Sequence, residues 1–182
     1  MELIFTGVFF LLVFQRLFEL YIAKKNEKWM KEQGAREVGK NHYKYIVLLH
    51  IFFLFAVAIE AILRGFTLSF VWSVMLFVFL SAQCLRVWTI RSLGRFWNTK
   101  IIVLQDADVV KKGPYRFLKH PNYLIVALEI LSLPLIFSSY FTAIVFTVLN
   151  AVLLLRVRIP AEEKALKEST NYPVMFPNAE KE

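Results

Sequence analysis

The sequence predicts an all-α integral membrane fold of five transmembrane helices, the last two a short helical hairpin, with a polar cap on the cytosolic side. Three observations predict it. Of 182 residues, 58% are hydrophobic and 16% aromatic, yet the net charge is +8; with a mean hydropathy of +0.53, that composition belongs to a membrane protein. The apolar residues fall in runs long enough to cross a hydrocarbon core of roughly 30 Å. The strongly basic segments alternate with these runs so that all can lie on one side, the cytosol by the positive-inside rule.

The first span is Leu3 to Ala23. It lacks a basic leader and a small-residue cleavage site, so it is expected to stay in the mature chain, with the N-terminus outside. Arg16 and Glu19, three apart, share a helical face and can pair; nearness to water favours snorkelling at the interface over burial. A basic loop, Lys24 to Lys44, is expected next. Its lysines face water or anionic headgroups, and flanking spans make nucleic acid an unattractive partner. Glu37 and His42 here, with His50 in the next span, bring titratable groups near the membrane surface, and His can accept a proton near neutral pH.

The second span is Tyr45 to Leu63, where Tyr43 and His50, seven apart, share a face. An intramembrane His is either functional or hydrogen-bonded to a neighbouring helix. Glu60 and Arg64 are expected to form a surface pair at the far interface. The third span, Leu68 to Ile90, carries Arg86 near its end, expected to snorkel rather than line a site. The single cysteine, Cys84, lies within this run and reads as a buried small hydrophobe; no intramolecular disulfide is possible.

From Arg91 to Asn122 the chain is basic and mostly polar. Ile101 to Leu104 is too short to span and reads as a strand-like edge or a wall of an apolar pocket, with core packing its commoner use. Trp97 reads as an interfacial anchor, with a lid over a greasy ligand as the alternative. The stretch Gly113-Pro114-Tyr115-Arg116 to His120-Pro121-Asn122-Tyr123 is where chemistry is expected. Pro121 suits the first turn of a helix and pushes His120 out of the helical region, so free N–H groups and a positive dipole end face an incoming carboxylate or phosphate. A basic membrane-interface flank is the competing use of Arg116, Lys119 and His120.

Tyr123 to Leu155 would run near 50 Å as one straight helix, too long for one crossing. Pro134 and Ser138-Ser139 predict a hairpin of two short or tilted spans, and Glu129 inside it needs a partner such as Arg86. Pro160 suits the start of a terminal helix whose first turn holds Glu162 and Glu163. Returned beside His120-Pro121, Arg158 and these two carboxylates would complement a zwitterionic ligand.

Gly-Pro-Tyr-Arg and His-Pro-Asn-Tyr, followed by Arg158-Ile159-Pro160-Ala161-Glu162-Glu163-Lys164-Ala165-Leu166 and preceded by Leu93-Gly94-Arg95-Phe96-Trp97, resemble the isoprenylcysteine carboxyl methyltransferase family. The resemblance covers Arg91 to Leu166. It implies a single membrane domain, 1–182, whose cofactor-binding half, about 91–170, forms the cytosolic cap and holds S-adenosylmethionine. The cofactor-binding set it implies is Tyr115, His120, Pro121, Asn122, Tyr123 and Glu162. Arg158 would bind the cofactor or orient an anionic oxygen, and with His42 makes the catalytic pair; Glu37, His50 and Trp97 are expected at the substrate. No metal is expected, since His42, His50 and His120 are dispersed and no Cys cluster exists, and neither a glycine-rich phosphate loop nor a nucleophile elbow occurs.

The resemblance also implies the acceptor, a lipophilic small molecule entering from the bilayer lipids. Bacterial relatives include enzymes that methylate a hydroxyl of alkylpyrones, and this chain resembles that branch in its size and its Glu37…His42-Tyr43 segment. A hydroxyl must lose its proton where a carboxylate need not, so Glu37, His42 and His50 favour a long-chain hydroxyl acceptor; a prenylcysteine or other lipid carboxylate is the alternative. The expected location is a bacterial cell membrane, C-terminus cytoplasmic. Membrane sterol reductases, which bind NADPH, resemble the same half, but this chain lacks their additional spans. The tail after Leu166 departs from the family, with Asn171-Tyr172-Pro173 where a longer Tyr-rich ending is usual.

Overall fold

The computed structural model describes residues 1–176; the end of the tail, 177–182, lies outside the described residues. The fold is mostly helical. Helix α1, Glu2–Glu32, continues past Ala23, so the expected basic loop is largely helix. Lys, Glu, Trp and Met are adequate helix formers, and tertiary contacts hold the extension. Asn26 donates to the carbonyls of Gly94 (3.1 Å) and Trp97 (2.7 Å), and Asn98 donates to that of Ala23 (3.0 Å).

Strand β1, Arg36–Val38, follows and pairs antiparallel with β2, Ile101–Val103, placing Glu37 opposite Ile102. The all-α expectation therefore acquires a small ribbon, and the 101–104 stretch is both strand and core: Ile101 and Val103 pack with Ala165. Helix α2 is Lys40–Leu63 and α3 is Trp72–Leu93. Helix α4, Pro121–Ile136, starts where the sequence places it, with Pro121 in its first turn and no side-chain cap on its N-terminus.

The hairpin turns at 137–139, where the Ser139 N–H reaches the Pro134 carbonyl at 2.9 Å, and α5, Tyr140–Leu153, returns. Glu60 caps α5 from α2. Its carboxylate accepts from the N–H groups of Phe141 (3.1 Å) and Thr142 (2.8 Å) and from the Thr142 hydroxyl (2.7 Å), satisfying first-turn donors at a positive dipole end. Its expected pairing with Arg64 is the looser contact, at 3.8 Å.

No break separates α5 from the terminal helix. A π-helical turn, Leu154–Arg158, joins it to α6, Ile159–Ser169. Proline has no N–H to give and its ring crowds the carbonyl four residues back; the wider turn just before Pro160 accommodates both. Glu162 and Glu163 thus sit on a continuing helix, not at the start of a free one. A short helix α7, Tyr172–Met175, closes the described chain.

Four helices among the described residues are long and apolar enough to cross a membrane, namely Glu2–Glu32, Lys40–Leu63, Trp72–Phe96 and Tyr140–Ser169; α4 is shorter. Phe10, Phe14, Phe52, Phe55 and Phe77 point outward, as they must where lipid is the solvent. Cys84 is also exposed, against the expectation of burial.

Within the spans lies a polar network that snorkelling would not build. Arg86, 2% exposed, donates from Nε to Glu129 (3.0 Å), from Nη1 to Glu19 (3.2 Å) and from Nη2 to Glu129 again. Arg16 joins Glu19 (2.7 Å) to Glu129, while Gln83 donates to Glu129 (2.6 Å) and Gln15 to Glu19 (2.9 Å). Glu129 does meet Arg86. The interface roles expected of Arg16, Glu19 and Arg86 are wrong, because two carboxylates within the bundle demand partners that water cannot supply there.

Candidate functional site

A cavity of about 530 Å³ lies where α4, the π turn, β2 and α7 converge, and extends inward between α1 and α2. Its polar end is built around Arg158, which the π turn aims inward and leaves 4% exposed. The guanidinium donates from Nε to the Tyr123 hydroxyl (2.9 Å) and from Nη2 to the Thr99 carbonyl (2.8 Å). Tyr123 passes its own O–H to Glu162, so cation, phenol and carboxylate form a chain across α4 and α6. The Thr99 hydroxyl meets that of Tyr43 at 3.1 Å.

A second pair closes the α4 entrance. Nε2 of His120 lies 3.0 Å from the Glu163 carboxylate, and its ring stacks on Tyr123. Tyr172 donates to the same carboxylate at 3.3 Å and is itself 2% exposed. The tail is anchored by Asn171, which accepts from the Val109 N–H (2.9 Å) and donates to Asp108 (2.7 Å). Within Asn171-Tyr172-Pro173, the point of departure in sequence, Tyr172 therefore lines the cavity while Asn171 ties the tail down. Burial, with the Glu162 charge added to it, pushes the Tyr115 phenol up; it stays a neutral donor.

Several buried polar atoms in this region lack partners among the described residues: Nη1 of Arg158, Oδ1 of Asn122 and Nε1 of Trp97. Each costs free energy unless something else meets it. Such a set in a cavity of ordinary ligand size marks a binding site.

The structure brings Tyr115, His120, Asn122, Tyr123, Arg158, Glu162, Trp97 and His50 to the wall of this one cavity. Pro121 does not line it; the residue is buried and starts α4. Glu37 does not line it either. Its carboxylate lies 3.4 Å from both Lys31 and Lys100, an ion-pair position rather than the substrate contact expected. Lys100 is held above its ordinary pKa: burial opposes this, but the hydrogen bond and charge of Glu27 outweigh it.

His42 is likewise off the wall. Its ring packs on Gly39, whose φ of +69° is the left-handed conformation that favours glycine; a Cβ there would come within 2.1 Å of the ring. Nε2 of His42 is buried without a partner among the described residues. Trp97 is no interfacial anchor, being 2% exposed; it is a wall residue. Sequence reasoning missed Thr99, which has no distinguishing neighbours, and the reach of Tyr172; Glu163, read as one of two carboxylates, turns out to be the partner of His120.

A family model described as "Isoprenylcysteine carboxyl methyltransferase (ICMT) family" matches residues 73–168. The chain is 47% identical over 158 residues to the uncharacterized protein YpbQ of Bacillus subtilis (strain 168), covering 87% of this chain and 94% of that protein. It is 28% identical over 152 residues to an uncharacterized protein of Haemophilus influenzae (strain ATCC 51907 / DSM 11121 / KW20 / Rd), covering 83% and 88%. No solved structure matches significantly.

Proposed function

Because the chain belongs to the isoprenylcysteine carboxyl methyltransferase family, we propose that it is an integral-membrane enzyme that methylates an oxygen of a lipophilic acceptor with S-adenosylmethionine. The observation that carries the reading is the Arg158–Tyr123–Glu162 chain beside unpartnered buried donors and acceptors. Those groups fit the cofactor: the donor set offers a cation for its carboxylate, carboxylates for its ammonium and sulfonium, and unmet amide and indole groups for its remaining polar atoms. Held there by Glu162, Tyr123 and His120, S-adenosylmethionine would supply an electrophilic methyl group whose transfer to the acceptor oxygen leaves the C–S electron pair on sulfur.

The chain's residues do the rest. Glu162 and Tyr123 fix the positive side of the ligand, and His120 with Glu163 and Tyr172 shut water out above it. Arg158, through Nη1, holds the acceptor oxygen in its anionic form; a hydroxyl acceptor gives its proton to water at the mouth. Alignment and exclusion of water supply most of the rate. His42, expected as half of the catalytic pair, is off the cavity wall but within reach of the Arg158 charge, and takes a positioning role behind it. The acceptor class is a long-chain hydroxyl. Within that class we keep an alkylpyrone-type hydroxyl as the specific candidate, although of the Glu37…His42-Tyr43 segment Tyr43 alone lines the cavity, and a lipid carboxylate is the second choice.

The test is binding of S-adenosylmethionine and, separately, NADPH to the detergent-purified protein. Micromolar affinity for the first is expected, weakened at least tenfold in Glu162→Ala and His120→Ala variants that stay folded. Binding of NADPH alone would replace this reading with the reductase one.

The topology belonging to this reading counts α4 as a short fifth crossing, N-terminus outside and the site facing the cytosol, where the cofactor is made. A reporter fused after Glu182 is expected to be cytoplasmic. Activity of an externally active reporter instead, such as a periplasmic or surface phosphatase, would remove the cofactor from the site's side of the membrane and sink the reading.

A further inference from the structure

The cavity does not end at Arg158. It continues toward the middle of the bundle and finishes against Arg16, Glu19, His50 and Arg86. Part of this network is committed to holding helices: Arg86 and Glu129 are almost wholly buried and engaged with each other. Arg16 and His50 differ. The Arg16 side chain is 24% exposed and commits Nη1 and Nη2 to one carboxylate oxygen each, which leaves part of a five-donor guanidinium for a ligand.

His50 faces it from α2. Its Nδ1 lies 2.8 Å from the Ile46 carbonyl. A carbonyl can only accept, so Nδ1 carries the hydrogen and, in the neutral imidazole, Nε2 presents a lone pair. One wall thus offers donors and the other an acceptor, across apolar flanks formed by Val13, Leu17, Ile46 and Val47. The charges balance, two guanidinium groups against two carboxylates, so a further anion would arrive uncompensated in a low-dielectric setting.

We propose that this inner end is a second recognition subsite for the acceptor, taking a neutral group that both donates and accepts, an amide or a hydroxyl. Its depth follows from α4. Glu129, which Arg16 contacts, comes six residues after Tyr123, about 9 Å along a helix rising 1.5 Å per residue. The acceptor is therefore an elongated amphiphile with a second polar group about 9 Å from the methylated oxygen, followed by its tail. That the ligand is an acceptor rests on the methyltransferase reading; the subsite itself rests on the cavity.

Two probes test it by calorimetric binding to the detergent-purified protein. N-decanoyltyramine carries an amide a ring and two carbons from its phenol oxygen, on the order of 8 Å by bond lengths; 4-dodecylphenol lacks the amide. The wild type is expected to bind the first at least tenfold more tightly. His50→Phe, and Arg16→Met made together with Glu19→Gln so that the buried network stays neutral, should each bring the two probes within about twofold, the loss falling on N-decanoyltyramine, and His50→Gln, which keeps a side-chain acceptor, should retain most of the preference. Equal binding in the wild type, or a preference that survives in folded His50→Phe, overturns the subsite. S-adenosylmethionine binding, measured alongside, separates the two ideas: a probe preference without cofactor binding overturns the methyltransferase reading alone, and cofactor binding without a preference overturns the subsite alone.

Discussion

Replacing Arg158 by Lys is expected to lower kcat/KM for methyl transfer about 100- to 1,000-fold, the range for removing one preorganised donor from a reacting oxygen. The charge would survive, but the planar fork would not. Arg158 reaches Tyr123 and the Thr99 carbonyl with two of its nitrogens and keeps Nη1 free of protein partners. A lysine ammonium on a flexible stem cannot hold both anchors and still present a donor in a fixed direction. Labelled methyl transfer from S-adenosylmethionine into a total lipid extract of the host cells measures the effect. Cofactor affinity should change far less, because the positive charge offered to the cofactor's carboxylate survives the substitution and Glu162 and His120 are untouched. A variant within threefold of wild type would remove Arg158 from the reacting oxygen.

The residues behind this prediction could be read in the sequence because they break the apolar pattern. Gly113-Pro114, His120-Pro121 and Arg158 to Glu163 are turn formers and charges set against apolar runs, and the start of α4 follows from the stereochemistry of Pro121 alone. Glu129 also announces itself, since a carboxylate inside a span requires a partner. Other features leave no such mark. Helices apolar on all sides have no periodicity from which to tell a lipid-facing position from a packed one, so Cys84 reads as buried and is exposed. Lys24 to Glu32 looks like a loop by charge and is helix because Asn26 and Asn98 stitch α1 to the turn after α3. Thr99 acts mainly through its backbone carbonyl, which any residue could supply. Pro160 is a start signal in sequence, and only the π turn before it reveals a through-helix. That same turn aims Arg158, so the element least visible in the sequence directs the residue most visible.

Arg86→Met is expected to be the most damaging single change to stability, about 3–5 kcal/mol, the usual loss when one member of a buried ion pair is removed. Arg86 touches both Glu129 and Glu19, and without it the network holds two carboxylates against the single cation Arg16. Glu129 retains Arg16 and Gln83 as partners, but one negative charge is left uncompensated between helices. Thermal unfolding in detergent, followed by helical circular dichroism, reads the loss. The double variant Arg86→Met with Glu129→Met should recover most of it. It restores neutrality, leaves the Arg16–Glu19 pair intact at 2.7 Å, and fills the vacated volume with an adaptable apolar side chain. The recovery distinguishes a charge effect from a packing effect: if Arg86 acted chiefly through the volume of its stem, the two losses would add. The double variant carries a second consequence. Arg16 would then be free of Glu129 and able to turn further into the cavity, so the network that stabilises the bundle also sets how much of Arg16 remains for a ligand.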